Sequence, residues 1–344
     1  MMINLNGVFD SSAFSVIIVT MRSFSISFFW GLILAFSTSS FCYGALFSSS
    51  QKQTPIIQLS LKQKLQLLEK KQNGKADHFI FDLPVTYNAK VSRWITFFQN
   101  NGKNFFRDWL EKSNKYMPII QSQLKAAGLP TDLAYMVMIE SGFSATAVSS
   151  SKAVGPWQFI GSTGKNYGLI QTHWLDERRD LIKSTQAAVK YLSNLHAEFG
   201  SWYLVAASYN MGEGGLRRQI KKYGTSDYWE LVNRNALPQE TQDYVPKILA
   251  ALMIAKAPNL YGFRDLAESS PLNTELVLAP PGVDIDLLAD HLNVTRKSLR
   301  DLNAQLTAGY IPRTVSGYTV RIPAGSSLLA KDYFRVHDKK FLLD

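Results

Sequence analysis

Seven consecutive apolar residues at 133–139 (LAYMVMI) run directly into an acid, Glu140, which is followed by Ser141 and Gly142. A stretch that is apolar on every side reads as a core helix rather than an amphipathic surface one, so its last residue emerges from dry surroundings. Burial and the negative end of the helix dipole both disfavour a carboxylate there. Glu140 is therefore expected to hold its proton at neutral pH, and a neutral carboxylic acid can protonate a leaving group. The plainer alternative is a satisfied buried carboxyl at an ordinary helix end.

The 344 residues exceed the usual size of one domain, so a large domain with a smaller companion is expected. Hydrophobic residues at 46% against 19% charged describe a globular chain. Near the start, Arg22 precedes an apolar stretch at 24–36, after which small residues gather at 37–45, the order of a secretory signal peptide. The stretch is short for a bilayer span. Residues 1–44 are read as a leader with translation starting at Met21, and the competing reading is a longer uncleaved anchor. Cys42 is the only cysteine, and Phe41 before it fits lipid attachment poorly. Cleavage near Gly44 would leave no thiol, which excludes disulfides and thiolate chemistry.

His78, His173, His196, His291 and His337 lack ligand spacing, and no cofactor or metal is expected. The turn Gly212-Glu213-Gly214-Gly215 lacks the preceding strand and the Lys-Ser/Thr ending of a phosphate loop. The formal charge of +10 survives loss of the leader, which carries one Arg and one Asp. A basic exported protein is drawn to anionic polymers: wall glycan with its lactyl and peptide carboxylates, or an anionic lipid surface approached peripherally. Nucleic acid is not expected, because the basic residues are spread out and no nucleic-acid module accompanies them. The sequence names no protein partner.

Along the chain, leucines at helical spacing (Leu61, Leu65, Leu68) predict an amphipathic helix over 56–72 within a linker region at 45–80. Helices are expected at 94–99 and 105–124, the second ended by Gly128, with a restart after Pro130 capped by Thr131 or Asp132. A small, polar loop at 141–155 precedes helices near 156–166, 185–199 with Ser184 as cap, 202–209, 214–222 and 239–256. Asp227 and Glu230 have the spacing of a capping box. Strand alternation is absent before about residue 274, so a mainly α domain is expected over 81–265. A strand at 276–278, helices at 285–292 and 295–302, and a strand at 318–322 then form a small α+β module within 274–325, with 326–344 as a tail.

Three further segments complete a constellation. Gly155-Pro156-Trp157-Gln158-Phe159 offers an aromatic platform beside a side-chain amide, Ala207-Ser208-Tyr209-Asn210 ends a helix, and Glu240-Thr241 with Tyr244-Val245 opens the last long one. Aromatic faces with amide hydrogen-bonders suit sugar rings and N-acetyl groups. Taken singly, Trp157 and Tyr209 also read as core aromatics and Asn210 as a helix C-cap. Together with Glu140 and with Trp174 to Asp180 (WLDERRD), these segments resemble, in order and over about residues 80–257, the lytic transglycosylase domain of the goose-lysozyme-like superfamily.

The resemblance implies a lysozyme-like fold, peptidoglycan strands as substrate, an envelope or periplasmic location, and Glu140 as sole catalytic acid and base. It implies that Ser141, Trp157, Gln158, Tyr209 and Asn210 bind substrate and that Tyr244 closes the site near Glu140. Pro156, Ser208 and Ala145 depart from the family's usual residues, which bears on sugar preference more than on catalysis. No motif supplies an obvious second acid of the kind two-carboxylate glycosidases need, although Glu213 and Glu240 stay open. The family's solution is assistance by the muramoyl N-acetyl group and closure of an anhydro ring without water. Residues 287–289, Val294, Leu299, Leu302-Asn303 and 320–323 look like a divergent LysM, a glycan-binding fold, with a structural cap as the alternative. A hydrolase using the same Glu140 and a non-catalytic wall-binding scaffold are the competing functions. Without the resemblance, 176–180 reads as a solvated charged face.

Overall fold

The computed structural model describes residues 81–341; the expected leader, Met21, Cys42 and the helix at 56–72 lie outside them. Helix α1 (Ala89–Gln99) starts earlier than its aromatic run suggested, because the Asn88 side chain accepts from the amides of Lys90 and Val91 at 3.0 and 3.1 Å. Helix α2 (Lys103–Ala126) follows, burying Phe106, Leu110, Met117, Ile120 and Leu124, and Gly128 takes the left-handed conformation after it.

The expected cap after Pro130 is replaced by one from a distance. Neither Thr131 nor Asp132 caps the short 3-10 turn at Thr131–Ala134; the Asp82 carboxylate accepts from the amide of Thr131 at 2.6 Å and of Asp132 at 2.9 Å. Asp132, wholly buried, accepts in return from the Asp82 amide and pairs with Lys256 at 2.6 Å. Helix α3 (Tyr135–Ser141) then carries the apolar run, with residues 135–138 buried.

The remaining helices of this part are α4 (Gly161–Asn166), α5 (Leu181–Phe199), α6 (Trp202–Met211), α7 (Glu213–Tyr223), α8 (Tyr228–Asn233) and α9 (Gln239–Lys256). The helix expected from 156 begins only at Gly161, because Gln158 sits at φ +50° in a turn. Asp180, not Ser184, caps α5: its carboxylate accepts from the amides of Ile182 and Lys183, while the Ser184 hydroxyl donates back to the Asp180 carbonyl. Asp227 accepts from the Glu230 amide as a capping box requires, but the Glu230 carboxylate turns to Thr225 and Arg234.

At the centre lies α9, buried along most of its length and packed against α1, α3 and α6. Pro246 inside α9 cannot donate to the carbonyl four residues back. The Tyr228 hydroxyl offers a donor there instead, lying 3.1 Å from the Gln242 carbonyl and 3.0 Å from that of Thr241.

The C-terminal part pairs β1 (Thr274–Ala279) antiparallel with β2 (Tyr318–Pro323), Val277 opposite Val320, with α10 (Ile285–His291) and α11 (Arg296–Leu302) between them. This is the expected strand-helix-helix-strand order. The buried Asn303 side chain bonds both the carbonyl and the amide of Arg321, tying the end of α11 to β2. The expected tail is instead a helix, α12 (Ser327–Phe341), which sends Ala330 and Phe334 into the module's core.

That core is not the module's alone. Trp174 and Leu175, from the segment before α5, are buried within it, and Trp174 meets Tyr318 edge-on at 5.7 Å. The following acids correct the solvated-face reading: Glu177 is 2% exposed and Asp180 6%. Glu177 pairs with Lys183 and accepts from the Tyr318 hydroxyl at 2.9 Å, and Asp180 meets Arg321 at 3.5 Å. Among the described residues no helix is long and apolar enough to cross a membrane.

Candidate active site

Glu140 is the penultimate residue of α3, half-buried, where the helix leaves the core. The helix ends at Ser141 because Gly142 turns left-handed at φ +57°, its amide donating to the Met138 carbonyl. A Cβ on Gly142 would lie 2.0 Å from the indole nitrogen of Trp109, so the residue is fixed by packing as well as by its dihedral. The exit of Glu140 from the core is thereby set in one direction.

Across from it, the Tyr244 hydroxyl of α9 donates to Glu140 Oε1 at 2.5 Å. Burial pushes the Glu140 carboxyl up to about 7; the Tyr244 hydrogen bond and the charge of Lys247 pull it down, and the charge of Glu240 pushes it further up. Glu240, Tyr244 and Lys247 stand at positions i, i+4 and i+7 of α9, hence on one face. One face of α9 therefore tunes Glu140 alongside burial. Tyr244 is itself buried, and burial followed by the charge of Glu140 raises its hydroxyl well above the usual tyrosine value.

Ser141, Gln158 and Tyr209 converge on one loop. The Ser141 hydroxyl donates to the Pro156 carbonyl at 2.8 Å, Tyr209 donates to the Trp157 carbonyl at 2.5 Å, and the Gln158 amide donates to the carbonyls of Gly155 at 2.8 Å and Ala147 at 3.3 Å. The loop is also held from outside, since a Cβ on Gly155 (φ +83°) would lie 1.9 Å from the Arg178 carbonyl oxygen. Burial, then the charge of Glu140, raises the Tyr209 hydroxyl well above its ordinary value, which places Tyr209 within the field of the acid.

Trp157 corrects the sequence reading. It is wholly buried, its indole donating to Thr185 Oγ1 at 2.9 Å, so it has no face to offer a sugar and serves as the loop's anchor in the core. Asn210 ends α6 beside the start of α9, its Oδ1 accepting from Thr241 Oγ1 at 2.7 Å and its Nδ2 donating to Glu240 at 3.4 Å. The structure thus brings Glu140, Ser141, Gln158, Tyr209, Asn210 and Tyr244 together.

Lys247 was missed by the sequence reading, and Thr241 was named in the motif without a role. Their spacing from Tyr244, three residues on either side, was the available signal. Of the two acids left open, Glu213 reaches Tyr191 and Glu240 reaches Asn210; neither is hydrogen-bonded to Glu140. Among the described residues no cluster of His, Cys, Asp and Glu is placed to hold a metal ion.

Residues 117–232 match the family described as the Transglycosylase SLT domain. The match contains Glu140 through Asn210 and ends before α9, which supplies Tyr244. The chain is 37% identical over 208 residues to membrane-bound lytic murein transglycosylase D of Escherichia coli (strain K12), covering 59% of this chain and 45% of that protein. It is 31% identical over 158 residues to peptidoglycan transglycosylase gp16 of Escherichia phage T7, covering 43% of this chain and 11% of that protein. The chain therefore spans less than half the length of either relative. A solved structure, the 70 kDa soluble lytic transglycosylase SLT70 from Escherichia coli, matches at 19% identity with a TM-score of 0.37, covering 49% of this chain and 31% of that one.

Proposed function

We propose that this protein is a peptidoglycan lytic transglycosylase, cleaving the bond between N-acetylmuramic acid and N-acetylglucosamine without water and leaving anhydromuramoyl ends. The observation that carries the reading is the state of Glu140. A half-buried acid pushed up to about 7, hydrogen-bonded to a tyrosine hydroxyl and to no second carboxylate, is equipped to give a proton near neutral pH and then take one back.

In the first step Glu140 protonates the bridging oxygen, and the muramoyl N-acetyl oxygen stabilises the anomeric carbon. In the second, the Glu140 carboxylate accepts the proton of the sugar's own primary hydroxyl as that oxygen closes the anhydro ring. Asn210 and Gln158 carry the amides suited to the N-acetyl group, while Ser141 and Tyr209 hold the loop that bears Gln158. Similarity to lytic murein transglycosylase D over 208 residues supports the substrate class, and the leader read at residues 1–44 supports export to the envelope.

Digestion of purified wall in heavy-oxygen water tests the reading. Ring closure leaves the new muramoyl ends unlabelled; labelled reducing ends would make the protein a hydrolase, and no cleavage at all would leave the scaffold reading.

A further inference from the structure

A cavity of about 280 Å³ lies between the helical part and the C-terminal module and does not include Glu140. Phe143, Ala145 and Pro156 line it from the loops that follow Glu140, and the Pro156 carbonyl is the acceptor of the Ser141 hydroxyl. Asn273, Ser298 and Gln305 line it from the C-terminal part.

Its charged groups are Lys115, Arg179 and Arg321 against Asp180 and Asp301. Both acids are engaged. Asp180 caps α5 through Oδ1 and meets Arg321 through Oδ2, and Asp301 pairs with Lys297 at 2.5 Å. The Arg179 guanidinium makes no hydrogen bond or ion pair among the described residues, and its Nε is buried without an acceptor. A guanidinium so placed is complementary to a carboxylate, which offers two acceptors in matching geometry.

We propose that this cavity is a carboxylate-binding subsite for the peptide stem of the glycan strand being cleaved. The proposal rests on the function read for Glu140, since a stem leaves the strand through the lactyl group of the muramoyl ring that reacts there. Arg179, with Lys115 lining the same cavity, takes a free carboxylate of the stem. The amides and hydroxyl contributed by Asn273, Gln305 and Ser298 suit its peptide groups. The C-terminal module then contributes to substrate selection as a wall of the subsite.

Two measurements test this. The wild type and Arg179→Gln are compared on wall strands with stems and on the same strands stripped of stems by an amidase. The ratio of stem-bearing to stripped cleavage should fall roughly tenfold to a hundredfold, the loss of one charge-assisted pair, chiefly as a raised KM. Equal loss on both substrates would assign Arg179 a structural role, and an unchanged ratio would remove it from recognition; either overturns the subsite.

Independently of turnover, a purified stem tetrapeptide is titrated into the Glu140→Gln protein. It should bind at least about tenfold more tightly than its carboxyl-amidated form, and Lys115→Gln should narrow that difference. No binding to a folded protein, or equal binding of acetate, would overturn the proposal even if the wild type cleaves wall. Binding of the peptide, together with a wild type that leaves wall intact, would instead fault the cleavage reading alone.

Discussion

Glu140 and Glu177 are both glutamates drawn out of water, and they differ in what meets them. Glu177 is paired with Lys183, accepts from the Tyr318 hydroxyl and accepts from the Ile170 amide, so its charge is compensated from three sides. Glu140 has one hydroxyl, a more distant lysine charge and an opposing acid. The first arrangement fastens two parts of a molecule, since removing either member strands the other. The second leaves the proton exchangeable near neutral pH. Burial of an acid is therefore a poor guide to its role until its partners are known.

The largest effect separating the two is on turnover. Glu140→Gln should abolish glycan cleavage, by more than the ~10²–10⁴ of a single general acid because one group serves both steps, while the protein stays folded. Near-normal rates in a folded variant would dissolve the distinction. The fastening region should respond in the opposite sense. Truncation after residue 268 uncovers Trp174 and Leu175 and takes Tyr318 from Glu177, which should lower stability by about 3–6 kcal/mol at ~1.5–3 kcal/mol per large apolar side chain. Chemical denaturation of the truncated protein measures this, and unchanged stability would make the module a mere appendage.

A smaller effect follows from the proton on Glu140. Its folded carboxyl, at about 7, holds a proton better than the ordinary 4.5, so its contribution to stability is full below about pH 4.5 and is lost as pH rises through about 7. Gln at this position has no such dependence. Relative to the wild type, Glu140→Gln should thus gain roughly 3 kcal/mol between about pH 4 and pH 8, from ~1.36 kcal/mol per pKa unit. Activity of the wild type should decline over the same rise in pH. Tyr244→Phe removes a hydrogen bond that favours the carboxylate, and should move that decline to higher pH. A pH-independent stability difference would show the acid to be unperturbed.

How far the sequence revealed these two regions follows from how local their causes are. The apolar run at 133–139 announced the core helix and its emerging acid, because both are properties of adjacent residues. The helix of Tyr244 was equally legible, from 239 to 256, but its hydrogen bond to Glu140 crosses 104 positions and entered only through a family resemblance. At 174–180 no periodicity marks a strap, and the partners Tyr318 and Arg321 lie 141 positions on. The expected cap on the 131–134 turn failed for the same reason, the acceptor being the distant Asp82 carboxylate. Trp157 shows another limit: an aromatic beside an amide has the same spelling whether it faces a ligand or anchors a loop. In sequence the final helix reads as a tail, since nothing near it shows that Ala330 and Phe334 have a core to enter.

Ser208 gives the finest test of the comparison, as a third buried polar group that has neither a charge partner nor an acid's proton. It precedes Tyr209 in α6, is wholly buried, and its hydroxyl has no hydrogen-bond partner among the described residues. Leaving such a hydroxyl unpaired is unfavourable, and Ala is also the better helix former. Ser208→Ala should therefore raise stability by about 1 kcal/mol, read as a shift in denaturation midpoint at constant slope, with cleavage rates unaltered. Were the variant less stable, the hydroxyl would have a partner worth keeping. Were it equally stable but slower, the hydroxyl would act through the neighbouring Tyr209 on the loop at 155–159. It would then belong with Glu140 among groups kept for chemistry rather than with Glu177 among those kept for attachment.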